Sequence, residues 1–249
     1  MAVRFDTTAG KRLSRTTGVL DYNAAYTVDL WVYFPALPAG YHSIITIGSN
    51  GAVGIDVLQL NGSQLLLYVQ NVASSEISGS TLSTATWYHL TVVRESATSV
   101  KVYLNETLDI TNTLDITART ASTTMAVGAT FYNSVYSEEV DARVANTKIW
   151  SAALTAAEFA QERNLIRLAR TANLLSWSPH FPGSGERARD YSGNGYNWTE
   201  GGTLTDEDGP PVSWGAPATI LHPPPTAVSR LLPQMTIIQT GLPIRQLRI

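Results

Sequence analysis

Residues 87–108 read WYHLTVVRESATSVKVYLNETL, two alternating stretches around a short polar segment. In both stretches every second residue is apolar, which is the period of a strand with one face buried. The apolar positions that share this face are Leu90, Val92, Val100, Val102 and Leu104. Residues 95–99 supply the polar turn between them. The stretch predicts an antiparallel strand pair with one face on the core.

Similar short stretches recur along the chain, separated by turn residues. They predict strands over residues 2–5, 26–34, 42–48, 53–60, 64–69, 108–116, 124–129, 140–150 and 174–181. Residues 131–139 are polar and aromatic and are predicted to form a loop. Many short strands with turn signals between them are typical of a β-sandwich or jelly roll.

One helix interrupts this pattern. Thr155 and Glu158 have the spacing of a capping box, which predicts a helix over residues 156–169. Three arginines, Arg163, Arg167 and Arg170, would then form one stripe along it. Such a stripe is either a solvated face or a docking patch for an acidic partner.

The composition limits the classes of partner. The chain has 249 residues, 44% of them hydrophobic, a net charge of −3 and no cysteine. A weakly acidic chain has no basic field to attract nucleic acid or a membrane surface. No apolar stretch approaches the ~20 residues of a membrane span, and the first 13 residues lack the apolar segment of a secretory signal. We therefore expect no nucleic-acid or membrane partner.

The C-terminal 40 residues differ from the rest. Eight of the 12 prolines fall in residues 210–249, and no Asp or Glu follows Asp208. This predicts one domain over residues 1–209 and a proline-rich extended arm over residues 210–249. The expected anchoring residues of the arm are Leu231, Leu232, Met235, Ile237, Ile238, Leu242, Ile244, Arg245, Leu247, Arg248 and Ile249.

Four segments together resemble the laminin-G-like, concanavalin-type jelly roll. They are YTVDLWVYF at residues 26–34, WYHLTVV with VKVYLN at 87–105, MAVGA at 125–129 and VANTKIWSAALTAAEF at 144–159. The resemblance extends over residues 2–169. It departs from the family in having Glu106 after Asn105 where a glycine is usual. DYSGNG, residues 190–195, also comes after the last core strand rather than before the first.

The resemblance implies an all-β, two-sheet antiparallel jelly roll with one short helix. Residues 174–209 would close the sandwich, with the strand 174–181 pairing near the N-terminal strand. Phage capsid and tail proteins often carry such domains with terminal arms. We therefore expect a non-enzymatic virion structural or decoration protein of a bacteriophage. It would dock through its arm to copies of itself or to other virion proteins.

A lectin-like carbohydrate-binding module is the alternative, since aromatic rings stack on sugars. The candidate residues are Trp31, Tyr33, Trp87 and Tyr103 on strands, and Phe131, Tyr132 and Tyr136 in the predicted loop. His89 shares the strand of Trp87, and a structural role is expected for it.

Catalytic and metal sites have weaker support. Glu138, Glu139 and Asp141 come nearest to the carboxylate pair that glycoside hydrolysis needs, but no third acid alternates with them, and we expect no catalysis. No cofactor is expected. Relatives often bind calcium through oxygen ligands, and the candidates here are Asp190 with Asn194, or the acidic cluster of residues 206–208.

Overall fold

A computed structural model of the chain describes residues 1–7, 10–17, 20, 24–48, 55–70, 73–117, 124–132 and 135–212. The arm residues from Leu231 to Ile249 lie outside these ranges. The strands of the described part are β1 Ala2–Phe5, β2 Arg12–Arg15, β3 Tyr26–Tyr33, β4 Tyr41–Gly48, β5 Ile55–Asn61, β6 Gln64–Gln70, β7 Ser74–Thr81, β8 Trp87–Ser96, β9 Ser99–Leu104, β10 Thr107–Asn112, β11 Met125–Val127, β12 Thr130–Tyr132, β13 Val135–Ser137, β14 Ala142–Trp150, β15 Leu174–Ser178, β16 Thr199–Gly201 and β17 Thr205–Glu207. The helix α1 is Ala156–Arg163.

The strands form two large antiparallel sheets and one small hairpin. The first sheet has the order β10-β9-β8-β3-β14-β1-β17, with β15 also paired to β14. The second sheet has the order β16-β2-β11-β4-β5-β6-β7, and β12 pairs with β13. The predicted two-sheet sandwich is confirmed. Residues 131–139 are not simply a loop, because β12 and β13 build a hairpin there.

The core lies between the inner faces of the two sheets. Strand alternation places one set of apolar side chains there from each sheet, and each is almost wholly buried. They include Val28, Leu30, Leu90, Val92 and Val102 from the first sheet, and Ile47, Leu58, Leu60, Leu65 and Leu67 from the second. Burying one such side chain contributes roughly 1.5–3 kcal/mol. The apolar face of residues 87–108 is thus the inner face, as the alternation predicts.

One edge of β14 is shared by two strands. β1 pairs with its first half through Val3 and Val144, and β15 pairs with its second half through Trp177 and Lys148. Asn146, with a positive φ of 52°, lies between the two pairings. The closing strand therefore lies near the N-terminal strand, as expected from the sequence.

A buried ion pair crosses the core between the sheets. Arg94 of β8 donates to Asp56 Oδ2 of β5 at 2.6 Å, and the Tyr26 hydroxyl donates to the same oxygen at 2.8 Å. All three side chains are at most 1% exposed. Burial alone would lower the pKa of Arg94, but the charge of Asp56, the neighbouring Tyr26 and the hydrogen bonds to both together outweigh it, and the pKa is raised. The pair fixes the relative position of β5 and β8.

Lys148 of β14 holds α1 and the chain after it on the outer face of the first sheet. Its ammonium group is fully buried and forms an ion pair with Glu162 Oε2 at 2.6 Å. It also donates to the carbonyl oxygens of Glu162, Leu165 and Arg167. The Glu162 carbonyl belongs to the last turn of the helix, where backbone acceptors lack helical partners and a cation is favoured, and the other two carbonyls lie in the chain that follows.

The helix is shorter than the predicted 156–169 because of these bonds. Beyond Arg163, outer-face side chains of the sheet bind carbonyls that a longer helix would use itself. Asn146 Nδ2 donates to the Leu165 carbonyl at 2.9 Å, and Trp150 Nε1 to the Arg170 carbonyl at 3.1 Å. At the other end, Glu158 accepts the Thr155 amide at 2.8 Å, as the capping box predicts.

The predicted arginine stripe does not form, since the helix ends at its first member. Arg163 pairs with Glu106 and Arg170 pairs with Glu158. Arg167 is exposed. Two of the three guanidinium groups are thus used within the chain rather than offered to an acidic partner.

His180 lies buried just after β15. Its Nδ1 is 2.7 Å from the Arg187 carbonyl oxygen, so Nδ1 donates, and Nε2 is 2.8 Å from Thr147 Oγ1. Burial disfavours the imidazolium and lowers the pKa of His180 from 6.5 to about 4, against the opposing effect of the Arg187 carbonyl. The closing segment therefore contains a histidine that folds in its neutral form.

Lys148→Met tests whether the ion pair with Glu162 keeps the helix on the first sheet. The substitution leaves the Glu162 carboxylate buried without its counter-ion, and we expect the free energy of unfolding to fall by about 3–5 kcal/mol. Urea denaturation followed by tryptophan fluorescence measures this. The matched control is Lys101→Met, which breaks the solvent-exposed pair with Glu95 and should leave the midpoint nearly unchanged. Equal effects of the two substitutions would contradict the assigned role.

His180 makes stability depend on pH. The unfolded state takes up a proton near pH 6.5 and the folded state only near pH 4, so stability is lost as pH falls between these values. We expect a loss of about 2 kcal/mol from this group between pH 7 and pH 4.5. His180→Asn keeps a donor, and asparagine tolerates the positive φ of 58° at this position. The unfolding free energy of this variant should fall by about 2 kcal/mol less than that of the wild type between pH 7 and pH 4.5. An equal pH dependence in the two proteins would refute the assignment.

Candidate functional site

The outer face of the second sheet carries a continuous row of side chains across its central strands. Val57 of β5 pairs with Tyr68 of β6, and Tyr68 pairs with Glu76 of β7. Directly paired residues of neighbouring strands point to the same side of a sheet. The inner-face residues Leu58 and Leu67 alternate with this row. The outer face therefore presents an aliphatic, an aromatic and an acidic group side by side.

This row forms part of a cavity of ≈ 240 Å³, here called the tyrosine cavity. Its lining residues are Tyr41, Ile55, Val57, Gln59, Tyr68, Glu76, Tyr132 and Glu138. Tyr41 and Tyr132 are 43% and 47% exposed, which is high for large apolar side chains. Small-molecule pockets typically measure ~300–1,000 Å³. The tyrosine cavity therefore suits one ring or one end of a larger ligand.

The β12–β13 hairpin supplies one wall of the cavity. Tyr132 ends β12, and Glu138 follows β13 with a positive φ of 55°. The Glu138 carbonyl accepts the Ser43 amide at 2.8 Å, and its Oε2 accepts the Thr130 hydroxyl at 2.8 Å. Ser43 Oγ lies 3.2 Å from the same carboxylate oxygen. These bonds tie the hairpin to β4 and orient the carboxylate of Glu138.

The opposite wall is ordered by a bond between side chains. The Tyr41 hydroxyl donates to Glu76 Oε1 at 3.3 Å, which joins the start of β4 to β7 above β5 and β6. Tyrosine rings offer apolar faces, whereas carboxylates and the Gln59 amide bind hydroxyl groups. The cavity thus combines ring-stacking surfaces with hydrogen-bonding groups, the combination that a polyhydroxylated ring requires.

Two of the sequence-predicted aromatic residues are covered. Trp31 is 5% exposed, and its Nε1 donates to the Arg163 carbonyl at 3.1 Å. The Tyr103 ring packs on Phe159 of α1 with centroids 4.7 Å apart. Both lie on the outer face of the first sheet, as predicted, but the helical segment occupies that face. The structure therefore removes Trp31 and Tyr103 from the sugar-binding candidates.

The other predicted aromatics lie in three places. Tyr33 and Trp87 stack on each other 5.4 Å apart at one end of the first sheet, and Arg143 lies over Tyr33. In the hairpin, the Phe131 and Tyr136 rings pack 4.7 Å apart, with the Arg12 guanidinium 3.6 Å from the Tyr136 centroid. Tyr132 alone among the seven lines the tyrosine cavity.

The three acids considered for hydrolysis have separate partners. Asp141 forms an ion pair with Arg4 at 3.2 Å, and Glu139 Oε1 accepts the Gly10 amide at 2.9 Å. Glu138 alone of the three lines the cavity. Glu139 and Asp141 are therefore engaged in structural contacts.

The calcium candidates form a hydrogen-bonded turn. The Asp190 carboxylate accepts the amides of Trp177, Ser192 and Tyr196 at 2.9–3.0 Å. These bonds lower the pKa of Asp190 against the opposing effect of its burial. The side-chain amide of Asn194 donates to the Leu174 and Leu175 carbonyls. A cation would compete with these donors for Asp190.

Two of the three acids in the cluster of residues 206–208 form ion pairs with arginines. Asp206 pairs with Arg187, and Glu207 with Arg4 and Arg143. Within the described ranges, no three His, Asp or Glu side chains are grouped as metal ligands.

His89 is buried between two carboxylates, consistent with the structural role expected for it. Nε2 lies 2.7 Å from Asp29 Oδ1, and Nδ1 lies 3.3 Å from Glu106 Oε1. Glu106 and Asn105 both have positive φ, 64° and 48°, so the Asn-Glu turn has the backbone signs of an Asn-Gly turn. The Glu106 carboxylate links His89 to Arg163.

Sequence reasoning did not identify six residues of the cavity: the aliphatic Ile55 and Val57 and the aromatic or polar Tyr41, Gln59, Tyr68 and Glu76. The available signal was the alternation in residues 64–69, which places Tyr68 opposite the inward-pointing Leu67 and Val69. In β5 the alternation is less clear, because Ile55 and Val57 make the outer face of this strand apolar as well.

Two further cavities fit a ligand less well. A larger one of ≈ 650 Å³ lies among turns and is lined by Glu186, Arg189 and Glu200, while its tryptophan, Trp198, is 4% exposed. A smaller one of ≈ 140 Å³ is largely apolar and includes Met1, Phe181 and Val212. In the described part of the chain no helix is long and apolar enough to cross a bilayer.

Comparison with known proteins identifies the family and the fold. Residues 6–160, more than half of the chain, match the family model of the concanavalin A-like lectin/glucanases superfamily. No curated protein matches the sequence.

Three of the solved structures that are similar to the chain illustrate the fold. The CBM40 module of Ruminococcus gnavus IT-sialidase, with bound α2,3-sialyllactose, has a TM-score of 0.53 at 9% identity, over 64% of this chain and 95% of that one. A candidate carbohydrate-binding protein from Bacteroides ovatus has a TM-score of 0.56 at 14% identity, and the match covers 84% of this chain and 62% of that one. Domains LG4-5 of mouse laminin α1 have a TM-score of 0.50 at 12% identity, and the match covers 63% of this chain and 43% of that one. At these identities the similarity shows the fold alone.

Proposed function

The chain belongs to the concanavalin A-like lectin/glucanases superfamily, and from this we propose that it binds glycans, without hydrolysing them, in the tyrosine cavity. The observation that carries the proposal is the pair of exposed rings, Tyr41 and Tyr132, above a floor that holds Gln59 and Tyr68. A sugar ring has apolar C–H faces and a rim of hydroxyl groups. The tyrosine rings offer stacking to the faces, and Gln59, Glu76 and Glu138 offer hydrogen bonds to the rim.

The accessibility of this face supports the choice of site. α1 and the chain after it cover the outer face of the first sheet at Trp31, Lys148 and Trp150. The tyrosine cavity on the second sheet keeps its rings exposed. The CBM40 module binds sialyllactose on the same fold, which shows that the fold is suitable for glycan binding.

Non-catalytic binding is proposed for a chemical reason. Hydrolysis of a glycosidic bond ordinarily takes a proton donor and a second carboxylate on either side of the bond. Of the acids first considered, Glu139 and Asp141 are held by Gly10 and Arg4. The two carboxylates that do line the cavity, Glu76 and Glu138, already accept hydrogen bonds from Tyr41 and from Thr130 and Ser43, so neither is arranged as a proton donor. We expect a purified sample to bind oligosaccharides without releasing reducing sugar.

Tyr41→Ala and Tyr132→Ala test the site. Each removes one stacking ring, and we expect each to weaken glycan binding about tenfold, as measured by isothermal titration calorimetry with the best oligosaccharide from a glycan array. Tyr33→Ala is the matched control, since it removes a half-buried ring from the first sheet. Loss of binding in Tyr33→Ala, with the two cavity variants unaffected, would place the site elsewhere.

The expected virion role is a second and independent proposal. It depends on the arm of residues 210–249, where proline and apolar residues are concentrated and acidic residues are absent after Asp208. We propose that the arm docks to other copies of the chain or to other proteins of a phage particle, by adding a strand or by apolar anchoring. The glycan-binding domain would then decorate the particle.

Deleting residues 223–249 tests the arm. We expect the truncated protein to lose its assembly and to keep its affinity for glycans, because the cavity lies outside the deleted segment. Light scattering gives the mass of the native assembly before and after the deletion. An unchanged oligomer would refute docking through the arm.

A further inference from the structure

The charge of the tyrosine cavity restricts the glycans that it can accept. This inference rests on the proposed function and deepens it. Glu76 and Glu138 both line the cavity, and the described lining residues include no lysine, arginine or histidine. The remaining lining groups are three tyrosines, one glutamine and two aliphatic side chains. The described lining therefore carries two negative charges and no positive one.

Neither carboxylate is neutralised by a cation. Among the ion pairs of the described ranges, none includes Glu76 or Glu138. Glu76 accepts the neutral Tyr41 hydroxyl, and Glu138 accepts the neutral hydroxyls of Thr130 and Ser43. Some acids elsewhere in the fold have a cationic partner, as Asp141 has in Arg4. Within the described ranges, the two cavity carboxylates thus have no cationic partner that would compete with a ligand.

The bonds to Glu138 leave acceptor capacity for a ligand. Both recorded bonds to its side chain use Oε2, and a carboxylate has about four lone-pair sites over its two oxygens. Glu76 uses Oε1 for Tyr41. The hydroxyl of a sugar can donate to these free positions, and a bond to a charged acceptor is roughly twice as strong as a neutral one.

A carboxylate or sulfate group on the sugar has the opposite effect. It cannot donate to Glu76 or Glu138 when ionised, and it brings a like charge toward both carboxylates. Repulsion of this kind gives specificity by weakening the wrong ligand rather than by strengthening the right one.

We propose that the tyrosine cavity selects neutral glycans and rejects sugar acids and sulfated sugars. Glu76 and Glu138 are the specificity-determining residues. They bind the hydroxyl groups of a neutral ring and repel an anionic one, while Tyr41, Tyr68 and Tyr132 supply stacking that does not depend on ligand charge.

The test compares ligands that differ by one charged group. Suitable probes are lactose with its 3′-sulfate, and methyl galactoside with the corresponding methyl galacturonide, in which a carboxylate replaces the C6 hydroxymethyl group. We expect the neutral member of each pair to bind at least tenfold more tightly to the wild-type full chain by titration calorimetry. Raising the salt concentration should strengthen binding of the acidic member by screening, with little effect on the neutral one.

The double variant Glu76→Gln and Glu138→Gln removes both charges and keeps an acceptor at each position. We expect its neutral-to-acidic affinity ratio to fall about tenfold. Glu95→Gln is the control, because Glu95 is an exposed acid on β8 with no place in the cavity, and its ratio should equal that of the wild type.

The outcomes separate the two proposals. If acidic members bind as tightly as their neutral counterparts, or if the ratio is unchanged in the double variant, charge selection is wrong and glycan binding stands. If the wild-type protein binds neither member of any pair, the proposed function fails and the selectivity fails with it.

Discussion

The buried ion pair between Lys148 and Glu162 determines which face of the sandwich can meet a ligand. Two charges of opposite sign without solvent contact are stable only when their remaining hydrogen-bonding capacity is used. Lys148 meets this condition by binding one carbonyl in the last turn of α1 and two in the chain after it, and Glu162 by accepting the amides of Ala169 and Arg170. The helical segment is thereby held on the first sheet, and the outer face of that sheet becomes a second packed layer.

The second sheet has a different outer face. There the cross-strand row of Val57, Tyr68 and Glu76 remains part of an open cavity, and the hairpin after β11 adds Tyr132 and Glu138. The two sheets share one core, and among the described residues the second sheet is the one that combines the exposed rings Tyr41 and Tyr132 with acceptor groups. The proposed glycan site follows from this asymmetry, and its acidic lining leads to the proposed selection of neutral sugars.

The sequence predicts the inner face of the sandwich well. Alternation in residues 26–34, 64–69 and 87–108 requires buried strands, since a slip of one residue would expose the whole apolar set. The capping box at Thr155 is equally local and is also present. Both depend on residues close together in the chain.

The outer faces are harder to predict because long-range contacts decide which are covered. Trp31 and Tyr103 have the correct alternation for exposed rings, yet the chain after residue 155 packs on them. The helix ends early for the same reason, since side chains of β14 bind its last carbonyls. Tyr132 could be found as a loop aromatic. The Asn61-Gly62 turn specifies the pairing of β5 with β6, but Tyr41 joins Tyr68 only through the pairing of β4 with β5, which no local pattern specifies.

The most direct test of the central claim is to follow the tyrosine ring signals by NMR during titration with a neutral oligosaccharide. The account predicts saturable shifts of the Tyr41, Tyr68 and Tyr132 signals, while the indole N–H signals of Trp31 and Trp150, buried under the helical segment, stay fixed as internal references. Saturable shifts at Tyr33 and Trp87 with the three cavity tyrosines unchanged would contradict it.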